Sequence, residues 1–259
     1  MGNPALGDKK FMNLEAGSGT MTLGGVAAKS MILLGVLLAT ATYTWTQTIG
    51  KLQALEVEVV EDAGKLARLG AVPPGVMPYI WIGLIAGFVI AIITIFNPKI
   101  SPFTSPVYAG FEGLAIGGLS AMFEYMYPGI GLQAAACTLG TFFVMVIAYA
   151  VLGLNQKFAA GVVAATGGIC LAYIGLLVAR MFGCDMPLLS GTGPLSIGIS
   201  FVICAVAAFN LLLDFDTIER GVSQKAPKYM EWYCAFSLLV TIVWLYLEIL
   251  RIIAKLRSK

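Results

Sequence analysis

The stretch MPYIWIGLIAGFVIAIITIF, residues 77–96, decides the fold class, because none of its side chains carries a charge. A membrane-spanning helix needs about 20 consecutive, predominantly apolar residues to cross a hydrocarbon core of about 30 Å. This segment is therefore predicted to cross a lipid bilayer as a single helix.

Six further segments have the same character, so an all-α, polytopic membrane protein with seven transmembrane helices is predicted. The chain is 59% hydrophobic and only 12% charged, whereas soluble domains have about 25% charged residues. Too few polar residues remain to cover a soluble surface. The seven predicted spans are Met31–Gln47, Met77–Phe96, Pro106–Met126, Leu132–Leu152, Phe158–Met181, Pro194–Leu213 and Tyr233–Ile253.

The first 25 residues differ from the rest, since they are polar and rich in glycine and carry Asp8, Lys9, Lys10 and Glu15. We expect a flexible N-terminal arm over residues 1–25, followed by a transmembrane domain over residues 26–259. No early apolar run precedes a small-residue cleavage site, so a cleavable signal peptide is not predicted.

Lysine and arginine in short loops predict the orientation, because they concentrate on the cytoplasmic side. If the N-terminus is cytoplasmic, more lysine and arginine residues lie on the inner side than on the outer side, as this rule requires. The basic C-terminal tail then lies on the outer side, which the rule does not favour. Either the tail is an exception or the last segment does not cross fully; we favour seven crossings. The inner set is Lys9, Lys10, Lys29, Lys99, Lys157, Arg220, Lys225 and Lys228, and the outer set is Lys51, Lys65, Arg68 and Arg180.

Several absences narrow the function. The chain has no histidine, which excludes a Ser-His-Asp triad and histidine metal ligation. Its five cysteines show no CxxC spacing, so neither a disulfide framework nor a metal site is predicted. Gly113 and Gly117 form a Gly-x-x-x-Gly pair, which in an apolar helix favours close helix packing. We expect no enzyme, no resident cofactor and no nucleic-acid partner.

Acidic residues inside the spans are the candidate functional groups, because a charge at a helix centre costs roughly 2.5–3.5 kcal/mol on insertion scales. Glu112 lies about 9 Å into the third span at about 1.5 Å per residue. Asp214 and Asp216 end the predicted sixth span. The predicted orientation places all three at similar depth on the inner side, which suggests one acidic cluster. For Asp216, an ion pair with Arg220 at i+4 is the structural alternative.

Two other acids have mainly structural explanations. Glu124 precedes interfacial aromatic residues at an outer helix end, where simple solvation accounts for it. Glu248 has Arg251 at i+3, so an ion pair at the helix end is expected. Trp244 and Tyr246 fit an interfacial aromatic belt.

Phe215-Asp216-Thr217, a short polar loop and a long last helix together resemble the transmembrane Bax inhibitor family (Bax inhibitor/YccA type). The segment Asn97-Pro98-Lys99 running into Glu112-Gly113-Leu114 looks like that family's entry to the third span. The resemblance covers residues 25–259 and is nearest to a bacterial Bax inhibitor 1-like branch. It implies a central last helix and location in a bacterial inner membrane.

The resemblance also implies a pH-sensitive calcium leak channel, in which an aspartate of the sixth span pairs with one of the seventh. Asp216 matches the first aspartate, but Thr241 stands where the second is expected, and Glu248 lies two turns further along. We therefore expect any proton-sensitive pair to join Asp216 or Asp214 to Glu112. Carboxylates suit Ca²⁺, which prefers oxygen ligands, and two close carboxylates form a proton sensor.

Two other functions stay open from the sequence. A non-conducting regulator that binds a membrane protease or a secretion component would show no ion flux. A proton-coupled transporter of small solutes would show internal repeats or broken helices, and no convincing repeat is present. An intramembrane enzyme fits least, because no nucleophile–base set stands out.

Overall fold

The computed structural model describes residues 19–59, 77–182, 191 and 193–258. In these ranges the chain forms seven long helices, and no strand beyond an isolated antiparallel bridge between Thr20 and Pro227. A 3₁₀ turn over Pro98–Ile100 leads into the third helix. The helices are α1 Leu23–Val59, α2 Met77–Phe96, α3 Ser101–Met126, α4 Ile130–Leu152, α5 Gln156–Met181, α6 Pro194–Ser223 and α7 Met230–Arg257.

The seven helices coincide with the seven predicted spans, which confirms the all-α prediction. Six of them, all except α3, are long and apolar enough to cross a membrane. Helix α3 has sufficient length at 26 residues, but glycine, serine and two glutamates make it less apolar. The protein is therefore an integral membrane protein with six strongly apolar spans and one more polar long helix.

Several helix boundaries differ from the prediction, and α1 for example ends at Val59 rather than Gln47. Helix α1 begins at Leu23 rather than Met31, and α3 begins at Ser101 rather than Pro106. Helix α6 continues to Ser223 instead of ending at Leu213. Polar residues do not end a helix that still has backbone hydrogen bonds and packing partners, so boundaries drawn where hydropathy falls make the predicted helices too short.

The last helix is the most buried of the candidate spans, which fits the prediction of a central last helix. In its most apolar window 61% of the residues are buried, against 6% in both α4 and α5. The latter two helices accordingly keep most of their apolar side chains on an outer surface. In a bilayer that surface faces lipid tails.

The chain divides into two compact units. Unit A comprises residues 24–131 and 228–239 and holds nearly all of α1, α2, α3 and the beginning of α7. Unit B comprises the described parts of 1–23, 132–227 and 240–259, with α4, α5, α6 and the rest of α7.

Glycines allow the helices of unit A to approach closely. A Cβ atom at Gly113 or Gly117 would lie closer than 3.0 Å to backbone carbonyl oxygens of α1, at Leu37 and Ala41. A Cβ at Gly83 of α2 would likewise meet the backbone of α3 at under 3.0 Å. The Gly-x-x-x-Gly pair is therefore a helix-packing motif, as predicted.

Unit B is held together by different contacts. The Asn210 amide of α6 donates to the Thr166 hydroxyl of α5 at 2.7 Å, and the rings of Phe158 and Phe209 pack edge to face at 5.2 Å. The Lys255 ammonium of α7 donates to two serine hydroxyls of α6, each at 2.8 Å.

Four of the cysteines, Cys137, Cys170, Cys204 and Cys234, are free thiols. Some predictions lie outside the described residues. They concern the arm over residues 1–18, the loop residues Lys65 and Arg68, and the fifth cysteine, Cys184.

Candidate functional site

Two predicted site residues, Asp214 and Asp216, lie inside helix α6, not at its end, because the helix continues to Ser223. Asp214 is buried, with 2% of its surface exposed. Asp216 is half-buried and its carboxylate lies 2.8 Å from Nε of Arg220. The predicted i,i+4 ion pair is thus confirmed, and the two aspartates point to different faces of the helix because they are two residues apart.

The face of α6 that carries Asp216 has a second acidic group one turn along the helix. The Tyr149 hydroxyl of α4 donates to the Glu219 carboxylate. The Phe215 ring packs against Tyr149 at 5.9 Å, which fixes α4 beside this part of α6. Two carboxylates, one guanidinium and one phenol therefore share this part of α6, and no pattern in the sequence had singled out Tyr149 or Glu219.

Glu112 lies in the middle of α3 in unit A and is half-buried. The Tyr108 side chain lies one turn earlier on the same face of α3. Gly87 of α2 leaves room for the carboxylate, since a Cβ there would lie 3.0 Å from Oε2. The Tyr108 ring is fixed by an edge-to-face contact with Phe236 at 4.9 Å. Glu112 is thus built into the packing between α2 and α3.

The predicted cluster would join residues of both units. Glu112 belongs to unit A, and Asp214 and Asp216 belong to unit B. A shared site of these three carboxylates stays a prediction.

The two candidates of the last helix, Thr241 and Glu248, are both buried. Glu248 accepts hydrogen bonds from Arg251 at 3.0 Å, from the Tyr173 hydroxyl at 2.8 Å and from the Trp244 indole at 3.3 Å. The expected Glu248–Arg251 ion pair is confirmed. The carboxylate is far more enclosed than an interfacial ion pair would require, because Tyr173 of α5 and Trp244 cover it.

Glu124 has a structural role at the turn between α3 and α4. Its carboxylate accepts the backbone N–H of Gly129 at 2.6 Å and that of Gly131 at 3.0 Å. Gly129 has a φ of +81°, a conformation that glycine adopts without steric cost. The carboxylate therefore closes this turn. Glu124 has a structural role, whereas only solvation of its charge was expected.

The sequence analysis missed one ion pair in unit A. The Lys29 ammonium donates to the Glu231 carboxylate, and the two side chains are 15% and 1% exposed. The ammonium also lies 5.6 Å from the Trp232 ring, within range of a cation–π interaction. A Cβ at Gly25 would overlap the Glu231 carboxylate, so a larger residue there would displace the Glu231 side chain. The pair joins α1 to the start of α7.

Among the described residues, no group of three or more histidine, cysteine, aspartate or glutamate side chains could hold a metal ion. The carboxylates are placed singly or beside cations. Each can exchange a proton or change its ion pair, and none belongs to a ready-made multidentate metal site within the described ranges.

Seven long helices, a buried last helix and carboxylates within the spans define a polytopic α-helical membrane protein with ionisable groups in its interior. The family model described as Bax inhibitor 1 like matches residues 3–258. The chain therefore belongs to the Bax inhibitor 1 like family, as the resemblance implied. Neither a search of curated proteins nor a search of solved structures gave a match.

Proposed function

We propose that this protein is a calcium leak channel of the Bax inhibitor type, in which protonation of carboxylates within the membrane spans controls ion passage. The burial of Asp214 carries the proposal. A carboxyl group that is 2% exposed in an apolar span is costly to insert, and such groups commonly belong to ion or proton pathways.

The neighbours of Asp214 support a protonation-controlled element. Asp216 and Arg220 pair at 2.8 Å, and Glu219 lies one turn from Asp216 with Tyr149 bonded to it. Protonation of Asp216 or Glu219 removes one negative charge near Arg220. The ion pairing of Arg220 then changes, and with it the contact of α6 with α4. Deprotonated carboxylates also provide the oxygen ligands that Ca²⁺ prefers.

In this proposal Glu112 supplies the partner acid, because Thr241 stands at the position of the seventh span where the family's aspartate is expected. Deprotonation of the Glu112, Asp214 and Asp216 set favours cation passage, and protonation favours closure of a gate on the cytoplasmic side. The proposal includes a bacterial inner membrane and a cytoplasmic N-terminus.

Calcium entry into liposomes that contain the purified protein and an enclosed indicator tests the proposal. We expect the wild-type rate to rise from about pH 6 to about pH 8, the range in which buried carboxyl groups lose their protons. The triple variant Glu112→Gln, Asp214→Asn, Asp216→Asn should lose this dependence. Glu124→Gln is the control, because this acid closes a turn; its calcium entry should keep the wild-type pH dependence.

Identical calcium entry in the wild type and the triple variant across this range would show that these carboxylates do not control passage. If the wild type gave no entry above empty liposomes at any pH, the protein would instead be a non-conducting regulator. Co-purification with a membrane protease or another membrane protein would then identify its role.

A further inference from the structure

Unit B has a groove between α5 and α6. The two helices meet at Phe158–Phe209 and at Thr166–Asn210. Further along they separate and leave a groove of about 670 Å³, lined by residues 165–173 of α5 and 195–203 of α6. This volume lies within the range of roughly 300–1,000 Å³ typical of ligand pockets.

Small residues create the groove. Gly168 of α5 and Gly198 of α6 both line it, and a Cβ atom at either position would meet no atom within 4 Å. The other lining residues are apolar, except for the hydroxyl of Tyr173. Lipid tails are as apolar as leucine and fill such gaps in a bilayer without a hydrophobic penalty.

A cation lies beside the groove. Tyr173 forms part of the groove wall, and its hydroxyl accepts a hydrogen bond from Nη1 of Arg251 at 2.5 Å. The guanidinium carbon also lies 5.4 Å from the Tyr173 ring. The Arg251 side chain is 41% exposed, so it is accessible next to an otherwise apolar surface.

Arg251 has donors left for an outside acceptor. Among the described residues, its hydrogen bonds to Tyr173 and Glu248 all come from Nη1. A guanidinium has five N–H donors in a planar fork suited to phosphate, so the hydrogens on Nε and Nη2 can bind an anion. The described C-terminal part of α7, from residue 248, has an excess of positive charge. It carries three cations and a single acid: Arg251, Lys255 and Arg257, and Glu248.

We propose that this groove binds a phospholipid of the surrounding bilayer with an anionic headgroup. One acyl chain lies between α5 and α6 along Gly168 and Gly198, and the phosphate accepts hydrogen bonds from the free side of the Arg251 guanidinium. The apolar groove selects a lipid chain, and Arg251 with the excess of positive charge selects the anionic headgroup.

Native mass spectrometry of the purified protein, with added phosphatidylglycerol or phosphatidylcholine, tests the proposal. We expect the wild type to retain phosphatidylglycerol about fivefold more strongly, as one basic residue near a lipid surface provides. Gly168→Leu and Gly198→Leu place a side chain in the groove at positions where a Cβ has open space, and both should lose this retention. Gly140→Leu is the matched control on α4, since it also has open space around it and should bind as the wild type does.

Arg251→Gln should bind the two lipids equally, while Arg251→Lys should keep the preference. If Arg251→Gln does not fold, the two glycine variants still decide the outcome. Equal retention of both lipids by the wild type would overturn the proposal. Unchanged phosphatidylglycerol retention in both groove-filling variants would also overturn it, because only lipid bound loosely around the protein would then be detected.

Discussion

The most specific prediction about stability concerns the Lys29–Glu231 ion pair. It joins α1 to α7 across a separation of 202 residues in the chain, and Glu231 is only 1% exposed. Replacing Lys29 by Met removes the ammonium but preserves an unbranched apolar side chain. The Glu231 charge then stays buried without the cation that it faces.

Breaking a buried ion pair by removing one partner costs about 3–5 kcal/mol, because the remaining buried charge loses its counter-ion. Lys29→Met should therefore lower the free energy of unfolding by this amount. Glu231→Gln should also destabilise the protein. The double variant should lose about 0.5–3 kcal/mol less than the sum of the two single losses, since contacting residues couple by this amount.

Equilibrium unfolding in mixed detergent micelles, followed by tryptophan fluorescence, measures the four free energies of this cycle. The half-buried Asp216–Arg220 pair provides a control, because its side chains are more exposed, at 21% and 38%, and exposed ion pairs contribute only about 0–1 kcal/mol. Arg220→Met should accordingly cost much less than Lys29→Met. Equal losses for these two variants, or additive losses within the Lys29–Glu231 cycle, would refute the assigned role of the pair.

Two further predictions concern packing and the α3–α4 turn. Gly117→Ala should cost about 1–3 kcal/mol in the free energy of unfolding, because its Cβ would overlap the Ala41 carbonyl oxygen. Gly140→Ala, with open space around it, should be neutral or slightly stabilising, and equal melting temperatures for the two variants in a thermal melt would contradict the packing role of Gly117. Glu124→Gln should cost about 1–2 kcal/mol, since hydrogen bonds to a charged group are the stronger ones, and should speed amide hydrogen exchange at Gly131; an unchanged exchange rate would argue against the turn contact.

Local patterns in the sequence were sufficient for much of the fold. Runs of apolar residues located all seven helices, because the bilayer requires a fixed helix length. The ion pairs Asp216–Arg220 and Glu248–Arg251 were also predictable, since residues three or four apart always meet on a helix. The Gly-x-x-x-Gly pair at Gly113 predicted close packing but could not identify α1 as the partner.

Contacts between distant parts of the chain were not predictable. Lys29 looked like a basic residue flanking the first span, and nothing in the sequence singled out Glu231 as its partner. Only the fold brings them together. The same holds for Glu248, whose coverage by Tyr173 of α5 depends on tertiary packing. Asp214 was assigned to a helix end because hydropathy falls there, although the helix continues beyond it.

The basic C-terminal end of α7 conflicted with the predicted orientation, and the structure offers a physical reason for its charge. Helix α7 has 28 residues, more than the roughly 20 needed to cross a bilayer. Arg251 is bonded to Glu248 and Tyr173, and Lys255 to Ser196 and Ser200. These two cations belong to the packed helices, so they are weaker indicators of orientation than cations in a loop.

The central claim is that a carboxylate buried in α6 makes calcium passage depend on protonation. The most direct measurement is the initial rate of calcium entry into liposomes at about pH 6 and about pH 8, for the wild type and for Asp214→Asn at equal protein density. We predict a rate that rises with pH in the wild type and that is the same at both values in Asp214→Asn. A wild-type rate that does not change with pH, or an Asp214→Asn rate that rises as the wild type does, would contradict the claim.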